Sequence, residues 1–441
     1  MKDLASLYPA HLENVKNLYS DALATAEYNA VIIHGGALRY AFLDDHAYPF
    51  RMNPHLKYWL PVLDNPNCFL IYEPGQTPIL LFYQAIDFWL KPAPAPLGFW
   101  TSHFDIRMIA DPEDARQHLP KGERVAFIGE EHEGLHSWDL GKRNPASVLA
   151  HLDFNRAWKS DYEVECLREA NRIAIKGHRV VARAFREGLS EFETHIEYLS
   201  ATQHAEHELP YGNIIAHNEN GSVLHYQHLT RSRPGPGEKR SFLVDAGATF
   251  HGYAADVTRT YSADSRDEMA DLIAAVESFQ QELCARVKPG VDYTALHLDA
   301  HRHVGATLKR FGIIDIDGDG AFEKGITSTF FPHGLGHYLG LQVHDVGGCL
   351  ADRNGALIDK PAGHPFLRLT RVVSERESFT IEPGIYFITP LLAELKKSDN
   401  SRYVNWSRVE ELQPYGGVRI EDDVIVTAGG HENLTREAFD Q

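Results

Sequence analysis

Two hydrophobic periods alternate along the first third of the chain. The stretch from Leu12 to Ala26 repeats apolar positions at helical spacing and predicts an amphipathic helix. Ala30 to His34 (AVIIH) is unbroken and apolar, the pattern of a buried strand. Cys68–Tyr72 and Pro78–Tyr83 flank Pro74-Gly75 and predict a hairpin. Arg124 to Ile128 predicts another short strand, and Lys91-Pro-Ala-Pro-Ala-Pro96 a surface loop.

The texture changes near residue 157. Ser160-Asp-Tyr-Glu163 fits a capping box, with a hydroxyl at the N-cap and a carboxylate three residues on. Leu167, Ala170, Ile173, Ala174 and Val181 then keep helical spacing up to Gly188, a C-cap residue. Ser190-Glu-Phe-Glu193 repeats the capping pattern and opens a second helix. Two more helices are expected around Asp267–Val287 and Tyr293–Phe311, and from about residue 365 the pattern turns to strands. The expected organisation is a smaller α/β domain over residues 1–157 and a larger α+β domain over 158–441.

Composition narrows the function classes. Lys plus Arg number 43 and Asp plus Glu 61, a net charge of −18. So acidic a surface repels phosphate backbones and anionic lipid, so neither a nucleic-acid nor a membrane partner is expected. The N-terminal stretch has no apolar signal core and the apolar runs are too short to span a bilayer, which points to the cytoplasm. The four cysteines, Cys68, Cys166, Cys284 and Cys349, are widely spaced and suggest neither a zinc knuckle nor a disulfide framework. The 25 histidines hint at metal or proton chemistry.

The sharpest feature is Ser241-Phe-Leu-Val-Asp245-Ala-Gly-Ala-Thr-Phe-His-Gly-Tyr-Ala-Ala-Asp256. Two strand-like runs flank a turn at Phe250-His251-Gly252, and Asp245 and Asp256 lie equally far from the 250/251 midpoint. A hairpin centred there makes them cross-strand partners on one face. Both sit in apolar settings, where two bare carboxylates would repel. A divalent cation, or better a pair of them, removes that conflict.

More candidate ligands follow. His333, His337 and His344 lie within twelve residues. Gly334 and Gly336 argue against a helix there, and a turn at Gly340 is needed to bring His337 and His344 inward together. Glu382 and Glu421 stand in apolar strand patterns, the second with Arg419 on its face; a Glu on a buried sheet surface needs a cation or a partner. An oxygen-rich set with one imidazole suits Mn²⁺, Co²⁺ or Zn²⁺, leaning to Mn²⁺.

In this order, VDAG…AADVTRT, PHGLGH…VHD, TIEPGIY and GVRIED, the segments from about residue 160 to the end resemble the pita-bread metallopeptidases, which include methionine aminopeptidase, aminopeptidase P and prolidase. The N-terminal third, including Phe42-Leu-Asp-Asp45-His-Ala-Tyr-Pro-Phe, resembles the bacterial prolidases (Xaa-Pro dipeptidases) and their relatives, the organophosphorus acid anhydrolases. The resemblance implies a pita-bread catalytic domain of the creatinase/aminopeptidase type behind a smaller α/β domain. It implies two divalent metal ions held by Asp245, Asp256, His337, Glu382 and Glu421, with Asp256 and Glu421 bridging. It places His225, His333, His344 and Arg419 in the active site, with Glu382 as proton carrier. Arg368 would grip the free carboxylate of a dipeptide; Tyr211 and Asp45 would lie near the substrate, Asp45 reaching over from the partner of a homodimer.

The implied reaction is hydrolysis of the imide bond in dipeptides ending in proline. Phosphotriester or P–F hydrolysis at the same site is the alternative. A non-catalytic module and a metal-free creatinase-like enzyme are disfavoured by the complete ligand set. Two further patterns are read as decoys. Asp315-Ile-Asp-Gly-Asp319-Gly320 opens like a calcium loop but has Ile326 at its twelfth position, so it is expected to be a polar turn. His297, His301 and His303 lie on a helix, His297 and His301 on one face; with no third ligand in view, a solvated face is expected.

Overall fold

The computed structural model describes residues 3–85, 88–89 and 91–441. It divides into two compact units. The first comprises Met1–Cys166 with His251–Tyr253 and Leu350–Leu357; the second comprises Leu167–Phe250, Ala254–Cys349 and Ile358–Gln441.

The first unit is built on a six-stranded mixed sheet. Ala30–His34 lies inside it, antiparallel to Phe69–Tyr72 and parallel to Val125–Ile128. Phe69–Tyr72 and Ile79–Tyr83 form the expected antiparallel pair around Pro74-Gly75. Ile32, Phe69, Leu81 and Phe127 close a core on one face. The first helix, Leu4–Thr25, begins well before Leu12. Pro9 reads as a breaker, yet it sits early in the helix, where its missing N–H costs one bond. Asp3 caps the start, and Tyr8, Leu12, Val15 and Tyr19 are buried along one stripe.

Both capping boxes form as the sequence predicts. Ser160 receives the Glu163 N–H and its own N–H donates to Glu163 Oε2, ahead of the helix Asp161–Glu187. Ser190 and Glu193 do the same for Glu191–Thr202. Helices Glu268–Ala285 and Tyr293–Arg310 match the expected pair. The last part of the chain departs from expectation: helices Thr389–Lys397 and Trp406–Leu412 interrupt its strands. Asp317, in the calcium-loop lookalike, accepts a hydrogen bond from Gly320 N and caps the short helix Gly318–Glu323.

Small antiparallel sheets carry the site. Ser241–Asp245 is the middle strand of three, between Thr258–Ser262 and Ile214–His217. Asp422–Thr427 lies between Ser378–Ile381 and Gly430–Asn433. Gly384–Tyr386 pairs with Gly417–Arg419. An isolated bridge from Thr258 to Glu421 ties the first of these sheets to the last stretch of chain.

Candidate metal centre

The hairpin carrying the two aspartates differs by one step from the sequence expectation. His251 and Gly252 both have positive φ, 48° and 89°, as a two-residue primed turn requires. The turn therefore centres between them. Ala255 N donates to Ala248 O and Ala246 N to Val257 O, so Asp245 pairs with Thr258 rather than Asp256. Asp256 lies two residues along from Thr258 and keeps the face of Asp245, as a diagonal rather than a direct neighbour.

Three donors converge. Ligand atoms of Asp256, His337 and Glu421 all lie within 4.8 Å of one another, and the three residues are buried. His337 Nε2 is 3.4 Å from Asp256 Oδ2 and 3.5 Å from Glu382 Oε1. Its Nδ1 lies 3.0 Å from the Tyr338 carbonyl, which fixes a proton there and aims Nε2, the nitrogen on which a metal would replace a proton, at Asp256 and Glu382. His337 is placed by backbone: Thr380 N donates to its carbonyl, and Gly336 lies so close to Thr380 that an added Cβ would sit 2.1 Å from the Thr380 oxygen.

Asp245 is held from two sides. Tyr211 Oη donates to its Oδ1 at 2.7 Å and Arg419 Nη2 to its Oδ2 at 2.5 Å. The same guanidinium donates Nη1 to the Tyr386 hydroxyl and Nε to Thr258 Oγ1, each at 3.0 Å. Thr258 Oγ1 donates to Glu421 Oε2 at 2.6 Å. Tyr386 also meets His333 Nε2 at 2.7 Å, and His333 Nδ1 stands 3.6 Å from Glu382 Oε2. The expected turn at Gly340 is present, where Gly340 N donates to Gln342 O, and the His337 and His344 rings end 4.3 Å apart.

Charge in this cluster is unbalanced. Burial, with Asp256, Glu382 and Asp245 nearby, pushes Glu421 well above the usual carboxylate range. Burial raises Asp245 despite Arg419 beside it, and raises Glu382 to about 7 despite His337. Burial alone would lower His337, but Asp256 and Glu382 overcome it and lift it to about 9. Four carboxylates thus share one space with the Arg419 guanidinium and the His337 imidazole, and without further positive charge they cannot all ionise. Divalent cations fit this donor set: hard oxygens in excess, one imidazole aimed inward, and a charge deficit to fill.

Behind the donors lies a layer that sequence reading missed. Asp423 Oδ2 accepts from Asp256 N at 3.0 Å and from Asn171 Nδ2 at 2.8 Å. Asp422 turns the other way, to Arg259 Nη2 at 2.6 Å and Arg436 Nε at 2.8 Å; burial opposes its charge, but the guanidiniums hold it down at about 2. Tyr386 and Thr258 were also passed over. Both stand inside the quoted motifs, TIEPGIY and AADVTRT, which was the available signal.

The other expected residues lie around this centre or apart from it. His225, His344 and Arg368 are exposed, and Tyr211 is half-buried over Asp245. Asp45 is exposed in a loop of the first unit. The solvated-face expectation for His297 and His301 is wrong: both are buried, and a third histidine, His364, joins them.

Fold and site together define a metal-dependent peptidase of the pita-bread class. Residues 165–428 match the model for metallopeptidase family M24, and the chain belongs to that family. Residues 6–154 match the model for the Xaa-Pro dipeptidase N-terminal domain. A Xaa-Pro dipeptidase of Aeromonas hydrophila is 46% identical over 99% of this chain and 100% of its own length. Another from Stenotrophomonas maltophilia is 45% identical over 99% of this chain and 98% of its own. Among solved structures, zinc-substituted Escherichia coli aminopeptidase P superposes with a TM-score of 0.72 at 21% identity, covering 98% of this chain and 95% of that one. Proline aminopeptidase P II of Yersinia pestis gives a TM-score of 0.70 at 22% identity, over 97% and 96%. Among the described residues, no helix is long and apolar enough to cross a membrane.

Proposed function

We propose that this chain hydrolyses dipeptides whose second residue is proline, with Asp245, Asp256, His337, Glu382 and Glu421 holding two divalent cations. The observation that carries the reading is the buried meeting of Asp256, His337 and Glu421, beside an Asp245 already oriented by Tyr211 and Arg419. When bound, such a cation pair supplies Lewis acidity and a nucleophile at neutral pH. Mn²⁺ suits the carboxylate-rich set best.

The chain's own groups do the rest. Glu382, within 3.5 Å of His337 and 3.6 Å of His333, carries the proton from the attacking water to the proline nitrogen. An amide nitrogen is a poor leaving group as an anion, so it must be protonated as the bond to the proline breaks. His333, pinned by Tyr386, and His344, beside His337, face the substrate with His225. Arg368 lies near enough for its charge to act on His344, and its planar fork suits the free carboxylate of a dipeptide.

Asp45 acts in the active site of a second subunit in a homodimer. Phe42 and Leu43 beside it are 89% and 90% exposed, an apolar loop tip suited to a protein contact. A cytoplasmic location fits such a peptidase.

The test compares Xaa-Pro dipeptides, longer Xaa-Pro peptides and a fluorophosphate on metal-stripped protein reloaded with Mn²⁺. Metal-dependent cleavage confined to dipeptides is expected. Equal cleavage of longer peptides, or full turnover without metal, would overturn the reading.

A further inference from the structure

A second cluster of ligand-type side chains lies in the same unit, and the mechanism does not use it. His297 and His301 stand one turn apart on the helix Tyr293–Arg310, with side chains on one face. His364 comes from the segment between residues 358 and 378 and closes over them. Ligand nitrogens of the three lie within 4.8 Å of one another. The rings meet edge to face, with centroids 4.8 Å apart for His297–His301, 4.7 Å for His297–His364 and 4.5 Å for His301–His364. Phe331 packs against His301, and Phe322 stacks on His364.

Hydrogen bonding does not satisfy this cluster. His301 Nδ1 lies 3.0 Å from Thr327 Oγ1, and His297 Nε2 lies 2.9 Å from His364 Nδ1. That leaves His301 Nε2 and His297 Nδ1 buried with no hydrogen-bond partner, on residues each only 1% exposed. A buried unpaired ring nitrogen costs roughly 1–3 kcal/mol. If His301 gives its Nδ1 proton to Thr327, a bare lone pair remains on Nε2, the arrangement by which an outer partner fixes a metal-binding tautomer. Burial and the neighbouring imidazoles lower His297 to about 2 and His301 to about 3, so both rings are neutral at physiological pH, as ligation requires.

We propose that His297, His301 and His364 form a trihistidine site for a borderline divalent cation such as Zn²⁺, Co²⁺ or Ni²⁺, separate from the carboxylate-rich centre. Tetrahedral ligation at about 2.0–2.1 Å puts ligand nitrogens roughly 3.3 Å apart, so the observed spacing needs only side-chain adjustment. Three imidazoles with no carboxylate select against Mn²⁺ and Mg²⁺ and leave a fourth position for water on the side of half-buried His364. The two centres therefore differ in the metals they choose.

The experiment uses Zn²⁺ on the full chain. Crystals equilibrated with Zn²⁺ at low micromolar concentration are measured at the zinc absorption edge. In parallel, protein-bound zinc per chain is determined by atomic emission for the wild type and for His364→Ala. An anomalous peak between the three rings, and one zinc fewer per chain in a folded variant, is the expected result. Absence of the peak, or equal zinc content in the two proteins, overturns the proposal. Should His364→Ala not fold, the anomalous map of the wild type decides alone.

Discussion

Arg419 Nη2 lies 2.5 Å from Asp245 Oδ2, and through Nη1 the same guanidinium reaches the Tyr386 hydroxyl that holds His333. One side chain thus offsets carboxylate charge and sets the position of an imidazole. Arg419→Met is expected to destabilise the metal-stripped protein by about 3–5 kcal/mol, because it leaves buried Asp245 uncompensated. Saturating Mn²⁺ should shrink that loss. Urea unfolding with chelator and with Mn²⁺ measures both; a loss of equal size in the two conditions would show that Arg419 does not share the cation's electrostatic role.

Tyr386→Phe keeps the ring and removes the hydroxyl shared by His333 and Arg419. Losing one hydrogen bond to a charged group, about 1.5–3 kcal/mol, should lower kcat by roughly 10- to 100-fold. The fold should persist, which circular dichroism checks. Unchanged kcat would remove His333 positioning as the function of that hydroxyl.

Asp256→Asn and His337→Ala each take one member from the trio of donors. Both should lose metal affinity and dipeptide turnover, by at least about 100-fold even at saturating substrate. Metal content by atomic emission and steady-state kinetics read these together. Wild-type turnover in a variant still holding its full metal content would contradict the ligand assignment.

Arg368→Ala separates substrate recognition from hydrolysis. Dipeptide kcat/KM should fall about 10- to 100-fold, the loss of a charged bidentate contact. Turnover of a neutral phosphotriester on the same protein should hardly change. Equal losses on both substrates would remove the carboxylate-gripping role.

Acid sensitivity is expected in the first unit. Burial lowers His34 to about 3, and its ring stacks on Phe69 with centroids 4.5 Å apart. The unfolded chain takes up a proton near pH 6.5 and the folded one does not, so stability falls as pH drops below 6.5, until about 3. At pH 5 the loss is roughly 2 kcal/mol. His34→Phe keeps the stacking and should show a smaller drop between pH 8 and pH 5 in thermal unfolding.

Much of this was legible because local chemistry decides it. The two capping boxes and the strand Ala30–His34 formed where side-chain pattern alone placed them. The candidate ligands stood out as acids in apolar settings. What failed needed information from far along the chain. The hairpin register turned on the positive φ of His251, which no periodicity reveals. The burial of His297 and His301 depended on His364, more than sixty residues away. The helices Thr389–Lys397 and Trp406–Leu412 stand in a region whose apolar residues also read as strand.

The run Glu421-Asp422-Asp423 places three acids consecutively on an extended segment, and alternation sends Glu421 to the donors and Asp422 to the guanidiniums of Arg259 and Arg436. Their jobs are allotted by parity rather than by residue type. A single-codon deletion just upstream, at Val418 say, would trade those roles while leaving the composition of the segment nearly intact. This stretch should therefore be far less forgiving of length changes than of conservative replacements.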